Sequence, residues 1–91
     1  MNVLPNSVTP YKRTREFTEL SIPKGLLNDH QTKEGVWGKI VVLEGCLEYT
    51  IIEPELEIIE LTTSKFGVVE PTILHHIKPL GKVNFYVEFY R

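Results

Sequence analysis

Cysteine occurs once in the 91 residues, as Cys46. A single thiol excludes an internal disulfide, so a reducing, cytoplasmic setting is the simplest expectation. Long apolar runs are missing too. No stretch approaches the ~20 residues that span a bilayer, and no basic start leads into the apolar core of a secretory signal. No membrane association is therefore expected. Positive charge is not in excess: Lys and Arg total 10 against 12 Asp and Glu, for a formal net charge of -2. The basic residues are scattered, which removes nucleic acid as an expected partner. Finally, no segment carries the sustained 3.6-residue period of a core helix.

What is present is ordinary in bulk and specific in pattern. Apolar residues make up 42% and charged residues 24%, values typical of a soluble globular domain. The length fits one domain with a thin stability margin, which a homodimer would widen. Residues 1–10, "MNVLPNSVTP", have two prolines, two asparagines and no periodicity, and read as an arm or tail. Residues 11–91 read as the folded domain. "YKRTREFTEL" suits a first edge strand, its charges discouraging edge pairing, and Lys12, Arg13 and Arg15 in it are able to attract an anion. "SIPKGLL" reads as a loop leading to the polar stretch "NDHQTKEG", which contains His30.

After Gly35 the residues turn β-branched and aromatic. "VWGKIVVLEGCLEYTII" reads as two strands joined by a hairpin turn at Glu44-Gly45. "LEIIEL", "VVEP", "ILHHIKPL" and, beyond a turn at Gly81-Lys82, "VNFYVEFYR" supply further strands. About seven short strands without a helix indicate an all-β sandwich or barrel.

Side chains alternate across a strand, so adjacent His75 and His76 must face opposite ways. Ile73, His75 and Ile77 share an apolar face, while Leu74, His76 and Lys78 share the other. The pattern predicts His75 inward and His76 outward. In the last strand Phe85, Val87 and Phe89 form the apolar face. Tyr86, Glu88 and Tyr90 form an amphipathic one, which suits solvent, a pocket lining or an oligomer contact equally.

Three blocks, "LLNDHQTKEGVWGKIVVLEGCLEYTI", "GVVEPTILHHIKPLG" and "FYVEFYR", occur in this order. Together they resemble the TehB-like, YeaR-like family of small cupin-like domains associated with tellurite resistance. The resemblance runs from about Val8 to Arg91 and implies a compact barrel of the cupin, or jelly-roll, type. In longer relatives this domain precedes a methyltransferase that uses S-adenosylmethionine. Such an enzyme needs a Gly-rich turn leading into a helix, and the six glycines here are dispersed among strands. Methylation by these residues is not expected.

The cupin pattern also implies a divalent metal (zinc, iron, manganese or nickel) held by imidazole and carboxylate. On that pattern His30 and His75 are the metal ligands. Thr32 stands where a second histidine of a His-x-His pair would be, and Gly38 falls near the position of the acid. A third donor is then required. Glu88 is the first choice, ahead of Glu44 in a turn and Glu34 in a loop. Trp37, Thr32 and Tyr86 are the expected pocket-lining residues. Trp37 reads as a core or pocket-wall residue, and Cys46 as a buried structural thiol whose acidic neighbours disfavour the thiolate.

Two functions follow. The first is a small cupin-like protein that binds a metal, a small anion or another small molecule in connection with oxyanion resistance, with no reaction identifiable. The second is a non-catalytic module for dimerisation or for docking onto a separate S-adenosylmethionine-dependent methyltransferase.

Overall fold

A computed structural model describes all of residues 1–91. Eight strands and one helical turn follow in order: β1 Pro10–Arg13, β2 Phe17–Thr18, α1 Lys24–Leu27, β3 Trp37–Glu44, β4 Leu47–Ile51, β5 Glu57–Leu61, β6 Gly67–Val69, β7 His75–Pro79 and β8 Asn84–Tyr90. They form two antiparallel sheets. One has the order β1-β8-β3-β6, with β2 also pairing to β8, and the other the order β5-β4-β7. The Cα radius of gyration, 12.1 Å, is that of a single compact domain of this length, ~12 Å. No helix is long and apolar enough to cross a membrane.

The edge strand expected across "YKRTREFTEL" is present but interrupted. Arg13 pairs with Glu88 and Phe17 with Phe85 along the same edge of β8. Between them the Thr14 amide donates to the Val87 carbonyl at 2.9 Å, and the Thr14 hydroxyl accepts the Val87 amide at 3.0 Å. The stretch read as a loop at "SIPKGLL" contains the single turn α1.

The two Gly turns do not close hairpins. β3 pairs with β6 and β8, whereas β4 pairs with β5 and β7, so the chain changes sheets at Gly45 and again at Gly81. The true hairpin is β4–β5, where Ile51 faces Glu57. Gly45 has φ +78, and a Cβ there would collide with the Lys82 carbonyl oxygen. The two sheet-changing turns thus pack directly on each other, and only glycine allows the approach.

The core lies between the sheets. Ile40, Val42, Phe85 and Val87 face Leu47, Tyr49, Ile51, Leu61 and Ile77, all buried. Burial alternates along β3 and β8 with the period of two expected for strands covered on one face. Tyr49 is fully buried, and its hydroxyl donates to the Val68 carbonyl at 2.9 Å. This satisfies a polar group that would otherwise be costly inside the core.

Candidate functional site

A cavity of about 470 Å³ opens between the two sheets, bounded by residues 23–36. Its apolar wall includes Phe17, Leu26, Val36, Ile40, Val69, Ile77, Val87 and Phe89, and its polar groups are few: Lys12, Thr14, His30, Gln31, Thr32, Lys33 and His75 among them. A mainly apolar cavity of this size with a few converging polar groups is the usual form of a small-molecule site.

The histidine pair is built by backbone. His30 and His75 form an isolated antiparallel bridge, with His30 N donating to His75 O at 2.9 Å and His75 N to His30 O at 3.0 Å. The bridge sets their rings side by side, centroids 4.1 Å apart. His75 faces inward, 3% exposed, with the Tyr49 ring edge-on at 5.8 Å. His76 faces outward, where its Nδ1 meets Asp29 Oδ1 at 2.7 Å.

Each ring of the pair is oriented by its Nδ1. His75 Nδ1 lies 2.8 Å from the Ile73 carbonyl, and His30 Nδ1 lies 2.9 Å from the Asn28 carbonyl. A carbonyl only accepts, so each Nδ1 carries the proton, and the neutral imidazole keeps its lone pair on Nε2. Burial, opposed by the Ile73 carbonyl and assisted by the neighbouring histidines, lowers the His75 pKa to about 4. His75 is therefore neutral at neutral pH and is an acceptor through Nε2. That atom has no partner within the chain, and Asn84 Oδ1 is the one fully buried side-chain polar atom left without a bond. His75 lines the cavity, and its Nε2 is not among the polar atoms sealed in the core.

The rim is shaped by a turn. Val36 N donates to Lys33 O at 3.0 Å, and Gly35 adopts φ +79 at the third position, a glycine-requiring turn geometry. The Thr32 hydroxyl donates to Val36 O at 2.7 Å, and Thr32 O accepts from Thr72 N at 3.2 Å. Thr72 is held at φ 64, an outlier for a β-branched residue, so the link to the rim segment carries local strain.

Of the residues expected at the site, His30, Thr32 and His75 come together at the cavity. Glu88, Tyr86 and Trp37 do not line it. Glu88 is on the outer face of β8. It accepts from the Tyr90 hydroxyl at 2.7 Å and from Arg13 at 3.0 Å, and these partners hold its carboxyl below the usual carboxylate range. Tyr86 lies on that same face under the Arg13 guanidinium, 4.3 Å from its centroid. The reason is strand parity: Glu88 and Tyr86 alternate with Val87, which takes the inward side.

No group of three His, Cys, Asp or Glu side chains converges anywhere in the chain. The position expected near the acid is Gly38, on the cavity wall, where a Cβ would stand 3.2 Å from Val69 Cβ. The two imidazoles of His30 and His75 are left, and two donors fall short of the three or four that hold a resident divalent metal. Lys33, Gln31 and Val36 at the rim carried no sequence signal, because a polar loop gives no periodicity to read. Lys12 sits in a charged edge strand, and parity turns it to the cavity while Arg13 turns away.

The family described as the TehB-like domain matches residues 12–87. The chain is 28% identical over 82 residues to a protein of Haemophilus influenzae Rd named as a probable S-adenosyl-L-methionine-dependent methyltransferase TehB, covering 86% of this chain and 29% of that protein. The protein of the same name from strain 10810 is 26% identical over 82 residues. The chain thus spans 29% of the length of these curated relatives. Among solved structures, Haemophilus influenzae TehB superposes with a TM-score of 0.84 at 28% identity, covering 93% of this chain and 32% of that one. A protein from E. coli strain K12 superposes with a TM-score of 0.89 at 21% identity, covering 100% of this chain and 97% of the other, a likeness of fold.

Proposed function

This chain belongs to the TehB-like domain family, and from that premise we propose that it is a small-ligand-binding barrel of the cupin-like type, acting in the oxyanion-resistance context of the family. The observation that carries this reading is His75: a buried, neutral imidazole that lines a 470 Å³ cavity and whose Nε2 makes no hydrogen bond within the chain. A hydrogen-bond acceptor in a mainly apolar cavity gives a ligand with a donor a polar anchor there. The chain's own residues bind and orient. The apolar wall holds the body of the ligand, His75 fixes one polar end, and the Lys33–Val36 turn frames the mouth. No reaction is proposed.

A fragment screen followed by amide chemical shifts tests this. Binding predicts perturbations clustered at Thr32, Gly38, His75 and Val87. Perturbations only elsewhere, or none, contradict it. The cupin expectation of a resident zinc, iron, manganese or nickel is checked in parallel by elemental analysis after purification without chelators. The two-imidazole donor set predicts well under one equivalent, and a full equivalent resistant to dialysis would reverse that reading.

A second reading draws on the relatives. They carry a methyltransferase name and are over three times longer, by the 29% coverage, so docking onto a separate S-adenosylmethionine-dependent methyltransferase is the alternative role. Co-elution with such an enzyme on size exclusion supports it, and independent elution at concentrations well above micromolar counts against it.

A further inference from the structure

The charge of the cavity lining narrows the ligand class, on the premise that the cavity is a binding site. The chain holds more acids than bases, 12 against 10. None of the 19 lining residues is an Asp or Glu, yet Lys12 and Lys33 are among them. These lysines come from β1 and from the 33–36 turn, both exposed, and so flank the mouth, whereas His75 is buried. The only charges on the lining are therefore positive, outermost, and unopposed within it. The nearest acids in sequence, Glu34 beside Lys33 and Glu16 four residues after Lys12, are not part of the lining, and Asp29 pairs with His76.

Size excludes a bare oxyanion as the occupant that fills the cavity. At ~30 Å³ per water, the 470 Å³ is equivalent to about fifteen waters, and a tri- or tetra-oxo anion would leave most of the apolar wall wet. We propose that the cavity takes a small organic monoanion with an apolar body. Its carboxylate-like end meets Lys12 and Lys33 at the mouth. Its far end carries an O–H that donates to His75 Nε2. The body lies against Ile40, Val87 and Phe89.

A matched series tests each part. Amide-shift titrations compare 6-hydroxyhexanoate, hexanoate, 1,6-hexanediol and 6-aminohexan-1-ol. The hydroxy acid should bind tightest, roughly threefold to tenfold above the diol at low salt. That margin should shrink at about 0.5 M salt, where exposed charges are screened. Hexanoate should fall below the hydroxy acid because it leaves His75 without a donor, and the amino alcohol should bind weakest. The double variant Lys12→Ala/Lys33→Ala, altered only at exposed positions, should bring the hydroxy acid down to the affinity of the diol. Equal binding of acid and diol, or a preference that survives in the double variant, overturns the anion assignment and leaves a ligand-binding cavity standing. Equal binding of hexanoate and hydroxy acid overturns the His75 contact. No shift at the cavity with any of the four overturns both this assignment and the ligand-binding reading.

Discussion

At the scale of the residue, His75 concentrates the physics of the site. Its inward direction was legible from the alternation of Ile73, His75 and Ile77, and its neighbour His76 is correspondingly outward. What the pattern could not reveal is the fixed tautomer, which depends on the Ile73 carbonyl 2.8 Å away. The pKa carries a consequence for stability. The ordinary value of 6.5 applies to the unfolded chain, and burial lowers the folded value to about 4. The unfolded state therefore binds the extra proton between these values. His75 contributes no pH dependence above 6.5, and its neutral burial becomes progressively unfavourable as the pH falls toward 4. At ~1.4 kcal/mol per pH unit, the loss is about 3 kcal/mol. Urea unfolding across that window should show wild type losing this increment and His75→Gln lacking it; parallel profiles would contradict the assignment. Glu88 makes the opposite case. It stands on the outer face with Arg13 and Tyr90, so Glu88→Ala should leave ligand-induced shifts at the cavity unchanged.

At the scale of the element, the strands were legible and their partners were not. β-branched runs with period-two burial mark β3, β4, β7 and β8 directly. The Glu44-Gly45 turn was legible as a turn, but turn residues describe local φ and ψ, whereas the pairing of β3 with β6 and β8 is a long-range outcome. Which sheet receives the chain after Gly45 depends on burying Leu47, Tyr49 and Ile51 against Ile40 and Val42, and no four-residue window contains that information. Glu88 is a different case: the alternation of Phe85, Val87 and Phe89 marked the apolar face of β8, and that face lies inside with Glu88 outside. The turns make a prediction of their own. Gly45 and Gly81 both have positive φ, +78 and +99, but only at Gly45 would a Cβ meet another atom, the Lys82 carbonyl oxygen. Gly45→Ala should destabilise by more than about 2 kcal/mol, adding a clash to backbone strain. Gly81→Ala should cost only the strain, about 1–2 kcal/mol. Equal losses in denaturant unfolding would mean that the two turns do not pack as described.

At the scale of the molecule, two sheets enclose a core along most of their length and separate at one end into a cavity, where residues 23–36 close over the gap. The TehB-like relatives named as methyltransferases are much longer, and this chain spans 29% of their length. Tyr49 links core and cavity, bonding Val68 through its hydroxyl and meeting His75 with its ring edge. Tyr49→Phe should lower stability by about 1 kcal/mol while keeping the cavity shifts, as read by unfolding and by titration. The central claim is that His75 Nε2 is a neutral acceptor for a ligand in the cavity between the sheets. The most direct measurement is the long-range ¹H–¹⁵N imidazole spectrum of His75 at neutral pH, followed through titration with 6-hydroxyhexanoate and with 1,6-hexanediol. The account predicts a neutral ring protonated on Nδ1 throughout, with the Nε2 resonance moving as it accepts a hydrogen bond. A ring protonated on Nε2, or an Nε2 resonance unmoved by either compound, would contradict it.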